Sequence, residues 1–112
     1  MRLSSFDAFC RKLPASTFVV QWGGSHVHKI GSKVFAIGQF TGKPAYVFKT
    51  TPLRFELLIE QGMATRAPYL RRGTWVQVSD GVPDAELRLL LRQSYDVVVA
   101  GLTKAVRADL GV

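Results

Sequence analysis

The sequence predicts an α+β domain, an antiparallel sheet of about five strands with helices packed on one face. Two observations lead there. Between residues 17 and 50, short β-branched and aromatic runs alternate with glycine-containing breaks, the pattern of consecutive hairpins. Before and after that span, apolar residues recur at i, i+3 and i+4, as in helices that bury one stripe. Strands grouped in sequence and flanked by helices favour a sheet covered on one side over alternating βαβ units. The predicted order is helix, four strands, helix, strand, helix.

Each element has its own signal. Phe6, Cys10 and Leu13 form the stripe of a first helix, with Ser4 or Ser5 as its cap, Asp7 in its first turn and Pro14 as its stop. Cys10 lies on that stripe and is expected to be a small buried hydrophobe. The meander reads "TFVVQW", "HVHKI", "KVFAIGQF" and "AYVFKT", broken by "GGS", "GS" and "TGKP". In "TTPLRFELLIEQG", Thr51 is an N-cap, Pro52 takes the first helical position and Gly62 suits a left-handed end, so a helix is predicted over 52–61. "RAPYLRRGTWVQV" begins as a loop and becomes a fifth strand, "TWVQVS". After "DGVP", Leu87, Leu90, Leu91, Tyr95, Val98 and Leu102 mark the longest helix, over 84–101. Thr103 is placed to cap a last short helical segment, "KAVRADL".

The chain has 112 residues, which suits one domain spanning 1–112 with a core large enough to fold without a disulfide or metal. Cys10 is the single cysteine, so no intramolecular disulfide forms and a reducing compartment is expected. "MRLSSFDAFCRKLP" lacks the apolar run of a secretory leader, and no stretch approaches the ~18 apolar residues of a membrane span. A soluble, monomeric, cytoplasmic protein without membrane association is the expectation. Fifteen Lys and Arg against eight Asp and Glu give a net charge of +7. The distribution says more than the sum: from Ala8 to Phe55 there is no acidic residue, while Arg11, Lys12, Lys29, Lys33, Lys43, Lys49 and Arg54 fall in that span. A region of one sign attracts polyanions.

Catalytic chemistry finds little support. His26 and His28 alternate on one strand and share a face, but a metal needs further ligands and the meander offers neither carboxylate nor cysteine. Solvated or hydrogen-bonded imidazoles are expected there, and no metal. Neither a nucleophile with base and orienting acid nor a phosphate-binding glycine motif is apparent. No catalytic residue and no cofactor are assigned, and a non-enzyme is expected.

The ordered segments carry a likeness. "QWGG" with Trp22, "HKIGSKVFAI" with Lys29, Lys33 and Phe35, and "VFKTTP" with Lys49 and Pro52 come first. "APYLRRGTWVQV" follows with Pro68, Tyr69, Arg72 and Trp75, then "PDAELRLLLRQSYDVVVAGLTK" with Ser94, Tyr95, Leu102 and Lys104. Together, over about residues 6–107, the chain resembles the MmcQ/YjbR family. That resemblance implies a fold similar to frataxin and CyaY, and DNA binding through a double-wing arrangement. The sequence departs from the family pattern at His28, where an aromatic is usual in the second strand, and at Gly73, ahead of Trp75. The fold likeness also suggests iron handling, which in frataxins relies on an acidic ridge. Here the first helix holds only Asp7, with Arg11 and Lys12 at its end, and the strands hold no acid, so a surface of this sign repels the hard cations that want carboxylate oxygens.

Under the DNA reading, Lys29, Lys33 and Lys49 contact phosphates without reading sequence. They can equally be solvent-face lysines that discourage edge pairing. Arg71 and Arg72 form the stronger pair, because guanidinium forks suit phosphate oxygens. Tyr69, in a loop beside arginines, could stack on an unpaired base. Trp22, Trp75 and Tyr95 are expected in the core, with Ser94 and Tyr95 tying the long helix to the sheet. The alternative partner for the same basic surface is an acidic protein.

Overall fold

The computed structural model describes residues 1–70, 72–79 and 81–112. The chain runs α1 (Leu3–Lys12), β1 (Ser16–Gln21), β2 (Ser25–Ile30), β3 (Lys33–Gly38), a 3-10 turn (Phe40–Gly42), β4 (Ala45–Lys49), α2 (Pro52–Glu60), β5 (Thr65–Arg66), β6 (Trp75–Ser79), α3 (Asp84–Ala100) and α4 (Lys104–Leu110). The strands form one six-stranded sheet in the order β1-β2-β3-β4-β6-β5. Every pairing is antiparallel. The α+β architecture is the predicted one, with one strand more. The addition is β5, only two residues long and paired with Val76 and Gln77 of β6. Two residues carry no periodicity, so nothing in the sequence marks them as a strand.

The hairpins are made by local chemistry. Gly31 and Ser32 both have positive φ, 57° and 65°, which gives the two-residue β2–β3 turn the twist that matches its strands. α2 starts at Thr51, whose hydroxyl accepts from the Arg54 N–H, with Pro52 next. α4 starts the same way, Thr103 accepting from Val106 N–H. α1 departs from expectation. It begins at Leu3, ahead of both Ser4 and Ser5, and no side chain caps it. Asp7 consequently lies mid-helix and is used elsewhere.

A register shift between His28 and Lys29 marks a bulge: His28 faces Ala36 while Lys29 faces Val34, leaving Phe35 unpaired on β3. Both Phe35 and Ala36 then join the core beneath the helices. Ser94 of α3 satisfies the broken ladder, donating to Phe35 O at 2.6 Å and accepting from Lys49 N at 2.9 Å. Next to it the Tyr95 hydroxyl donates to Pro14 O at 2.5 Å. The long helix is thus fastened to three parts of the fold by adjacent residues.

The sheet separates two apolar clusters. The larger joins Phe6 and Cys10 of α1, Leu87, Leu91 and Tyr95 of α3, and the sheet residues Ile30, Phe35, Tyr46, Phe48, Val76 and Val78. The smaller lies on the opposite face: Val27, Ile37, Phe40, Val47 and Ala67, with Val34, Leu70 and Trp75 packed against them. No described α-helix crosses that second face. The segment following β5 covers part of it.

Candidate functional site

Strand periodicity decides which cations share the helix-free face. Lys29 alternates with Val27, and Lys49 with Val47, so both project on the side of the smaller cluster. Lys49 stands directly opposite Trp75 on β6. Lys33 opens β3 beside the hairpin turn and is exposed. Ser32, Lys33, Val34, Lys49 and Trp75 line one open groove of about 440 Å³ at this end of the sheet, closed on its far side by the last turns of α3. α3 has no basic residue in its own last turn, so the two lysines also face the negative end of its dipole. Arg72 is exposed in the loop between Leu70 and β6. Arg71, its predicted partner, lies outside the described residues.

The charges are segregated. Among the described residues every acid sits on a helix: Asp7 on α1, Glu56 and Glu60 on α2, Asp84, Glu86 and Asp96 on α3, and Asp109 on α4. No described carboxylate pairs with Lys29, Lys33, Lys49 or Arg72. Three cations elsewhere have partners. Arg11 lies over the Phe18 ring, Arg66 over Phe55, and Arg92 bonds Asp96 at 3.2 Å.

Tyr69 is at the other end of the face. It is 82% exposed, adopts a left-handed backbone with φ 66°, and meets Phe40 edge-on. Trp22 corrects an expectation. It is 52% exposed in the β1–β2 turn with φ 51°, not in the core. Strand β1 ends one residue before it, because the tight turn into Gly23 and Gly24 takes the tryptophan out of the pleat. Trp75 is half-buried, a lid on the smaller cluster and not a plug of the main one. Tyr95 is buried as expected.

Under the helices lies a polar group that sequence reasoning did not assemble. Asp7 accepts from His28 Nε2 and His26 Nδ1, each at 2.8 Å, one imidazole per carboxylate oxygen. The strands do lack acids; the carboxylate arrives from α1. His28 is fully buried among Phe6, Phe18 and Phe35, filling with a ring the position where the resemblance leads one to expect an aromatic. Its Nδ1 has no partner among the described residues, consistent with a neutral ring whose N–H is on Nε2 and whose bare nitrogen faces hydrocarbon. Burial pushes its pKa below 6.5, with Arg11 and His26 acting in the same direction and Asp7 opposing. Cys10 is buried beside this group, and burial, reinforced by Asp7, pushes its thiol pKa far up, so it holds no nucleophilic thiolate. The described residues contain no group of three metal-ligating side chains suited to an ion. No described helix is long and apolar enough to cross a membrane.

A family model described as YjbR matches residues 11–97, most of the chain. No curated protein matches it.

Proposed function

The chain belongs to the MmcQ/YjbR family, and from that premise we propose that it is a small, non-enzymatic, cytoplasmic DNA-binding protein that grips phosphates largely without regard to sequence. The observation that carries this reading is the charge segregation. Lys29, Lys49, Lys33 and Arg72 lie on or beside a face that no described α-helix crosses, no described carboxylate neutralises them, and the described acids are confined to helices. A surface built only to be solvated gains nothing from such separation, whereas a polyanion meets an uninterrupted positive field. In this reading the β2–β3 hairpin and the loop leading into β6 are the two wings, with Arg72 on the second and Arg71 its neighbour in sequence.

The test is the salt dependence of affinity for a DNA duplex. Each phosphate contact adds about 0.9 to the slope of log affinity against log salt, so five cations predict roughly four to five. Replacing Lys29, Lys33 and Lys49 together by glutamine is expected to flatten the slope by nearly three, and Arg71→Gln with Arg72→Gln by about two, with similar losses on unrelated sequences. An unchanged slope in both variants removes these residues from the interface. Absence of duplex binding by the unaltered chain at low salt, with binding to an acidic protein instead, replaces the reading.

A further inference from the structure

We propose that Trp22 and Tyr69 form a stacking site for an unpaired nucleobase, so that the surface engages single-stranded DNA as well as duplex. The inference rests on the DNA reading above and adds a second ligand state to it.

Three turns converge at the corner of the sheet opposite the lysine groove. The β1–β2 turn is latched to the segment after β3. Ser25 Oγ donates to Trp22 O at 3.1 Å and accepts from Thr41 N at 3.1 Å, and Gln39 Nε2 donates to Gly24 O at 3.3 Å. Tyr69 comes from the third segment, its ring 6.4 Å from that of Phe40, while the neighbouring Leu70 is tucked into the smaller cluster. Between them opens a recess of about 290 Å³ lined by Trp22, Phe40, Thr41, Tyr69 and Leu70.

Two large aromatics are held in solvent here at 52% and 82% exposure, both with positive φ. Non-glycine residues rarely adopt that conformation, and it persists only where surrounding contacts impose it. An exposed apolar patch with fixed rings marks a binding surface better than a packing accident. The choice of ligand follows from what surrounds it. Lys43 is exposed directly after the turn that carries Phe40 and Thr41, and exposed Arg72 follows Leu70 by two positions. A nucleotide offers a flat ring to the aromatics and a phosphate to the cations, whereas an apolar peptide uses only the first. Recess and lysine groove are separated by roughly the length of β3, on the order of 15–20 Å at ~3.3 Å per residue, so one strand can reach both.

The experiment compares a short oligothymidylate with a hairpin duplex. The protein has two tryptophans, so in Trp75→Phe the only indole is Trp22, and its fluorescence should be quenched by oligothymidylate and little changed by duplex. Trp22→Ala and Tyr69→Ala should each weaken single-strand binding roughly five- to a hundredfold. Duplex affinity and the salt slope should stay as they are, since neither residue is charged, and Tyr69→Phe should restore binding. Single-strand binding that is intact in both alanine variants, with Trp22 unquenched, overturns the stacking site while leaving the DNA reading standing. Failure of the unaltered chain to bind either nucleic acid overturns both.

Discussion

His28 and Ser94 show how much one buried polar atom can decide. The folded state keeps His28 neutral in an aromatic cage, with burial the principal cause and the Asp7 bond the opposing one. A pKa lowered on folding means the unfolded chain binds more protons on the acid side. The contribution to stability is therefore full above the ordinary value of 6.5 and is lost as pH falls below it toward the lowered value. Urea midpoints measured at about pH 7.5 and about pH 5.5 should show that loss, and His28→Phe, which removes the titrating group, should reduce it. Equal pH dependence in the variant would assign the acid sensitivity to another group. Ser94 makes a sharper case. Its hydroxyl serves a carbonyl and an amide that the β3 bulge would otherwise leave unmatched in the interior. Ser94→Ala should cost roughly 2–3 kcal/mol in urea unfolding, because the penalty is that of stranded backbone groups more than of one lost bond.

Among elements, α1 and β3 meet at a position where no side chain fits. A Cβ at Gly38 would meet Phe6 Cε2 at 2.7 Å and Leu3 Cδ1 at 2.8 Å. The backbone of β3 can therefore lie under the first helix only because that position has no side chain. Gly38→Ala should cost about 1–3 kcal/mol, as overpacking does, measurable as a fall in urea midpoint. The same packing holds Asp7 over the two imidazoles, so the variant should also enlarge the acid-side loss of stability. The position of α1 is what the sequence concealed. Its capping serines suggested a later start, yet the helix begins at Leu3 with no cap from a side chain, because burial of Phe6 and Cys10 outweighs a terminal hydrogen bond worth about 1 kcal/mol.

At the scale of the whole molecule, the two faces of the sheet have different work. The helix-covered face holds the main core and the Asp7–imidazole hydrogen bonds; the other has a small apolar cluster and cations without described counter-charges. The triple substitution of Lys29, Lys33 and Lys49 by glutamine should thus leave thermal stability nearly unchanged, each site within about 0.5 kcal/mol, while DNA affinity falls. A large drop in melting temperature would show that the lysines are needed by the fold, for instance against the carbonyl end of α3, and would weaken their assignment to phosphate.

The residues alone determined the order of the longer elements, though not the two-residue β5, because period, caps and turn glycines are local: Thr51 with Pro52, Gly31 with Ser32, and the Leu87-to-Val98 stripe all act within a few positions of themselves. They also determined that the positive charge lies in the meander. Tertiary structure alone decided what meets across the chain. Asp7 reaches His26 and His28 over 19 and 21 positions. Ser94 closes a bulge 59 positions away, and Trp22 and Tyr69 share a corner only because three segments distant in sequence converge there. A large aromatic in a β-rich run reads as core when its neighbours are taken as a strand; whether it is buried depends on where that strand turns and on what packs over it, and neither is a local property.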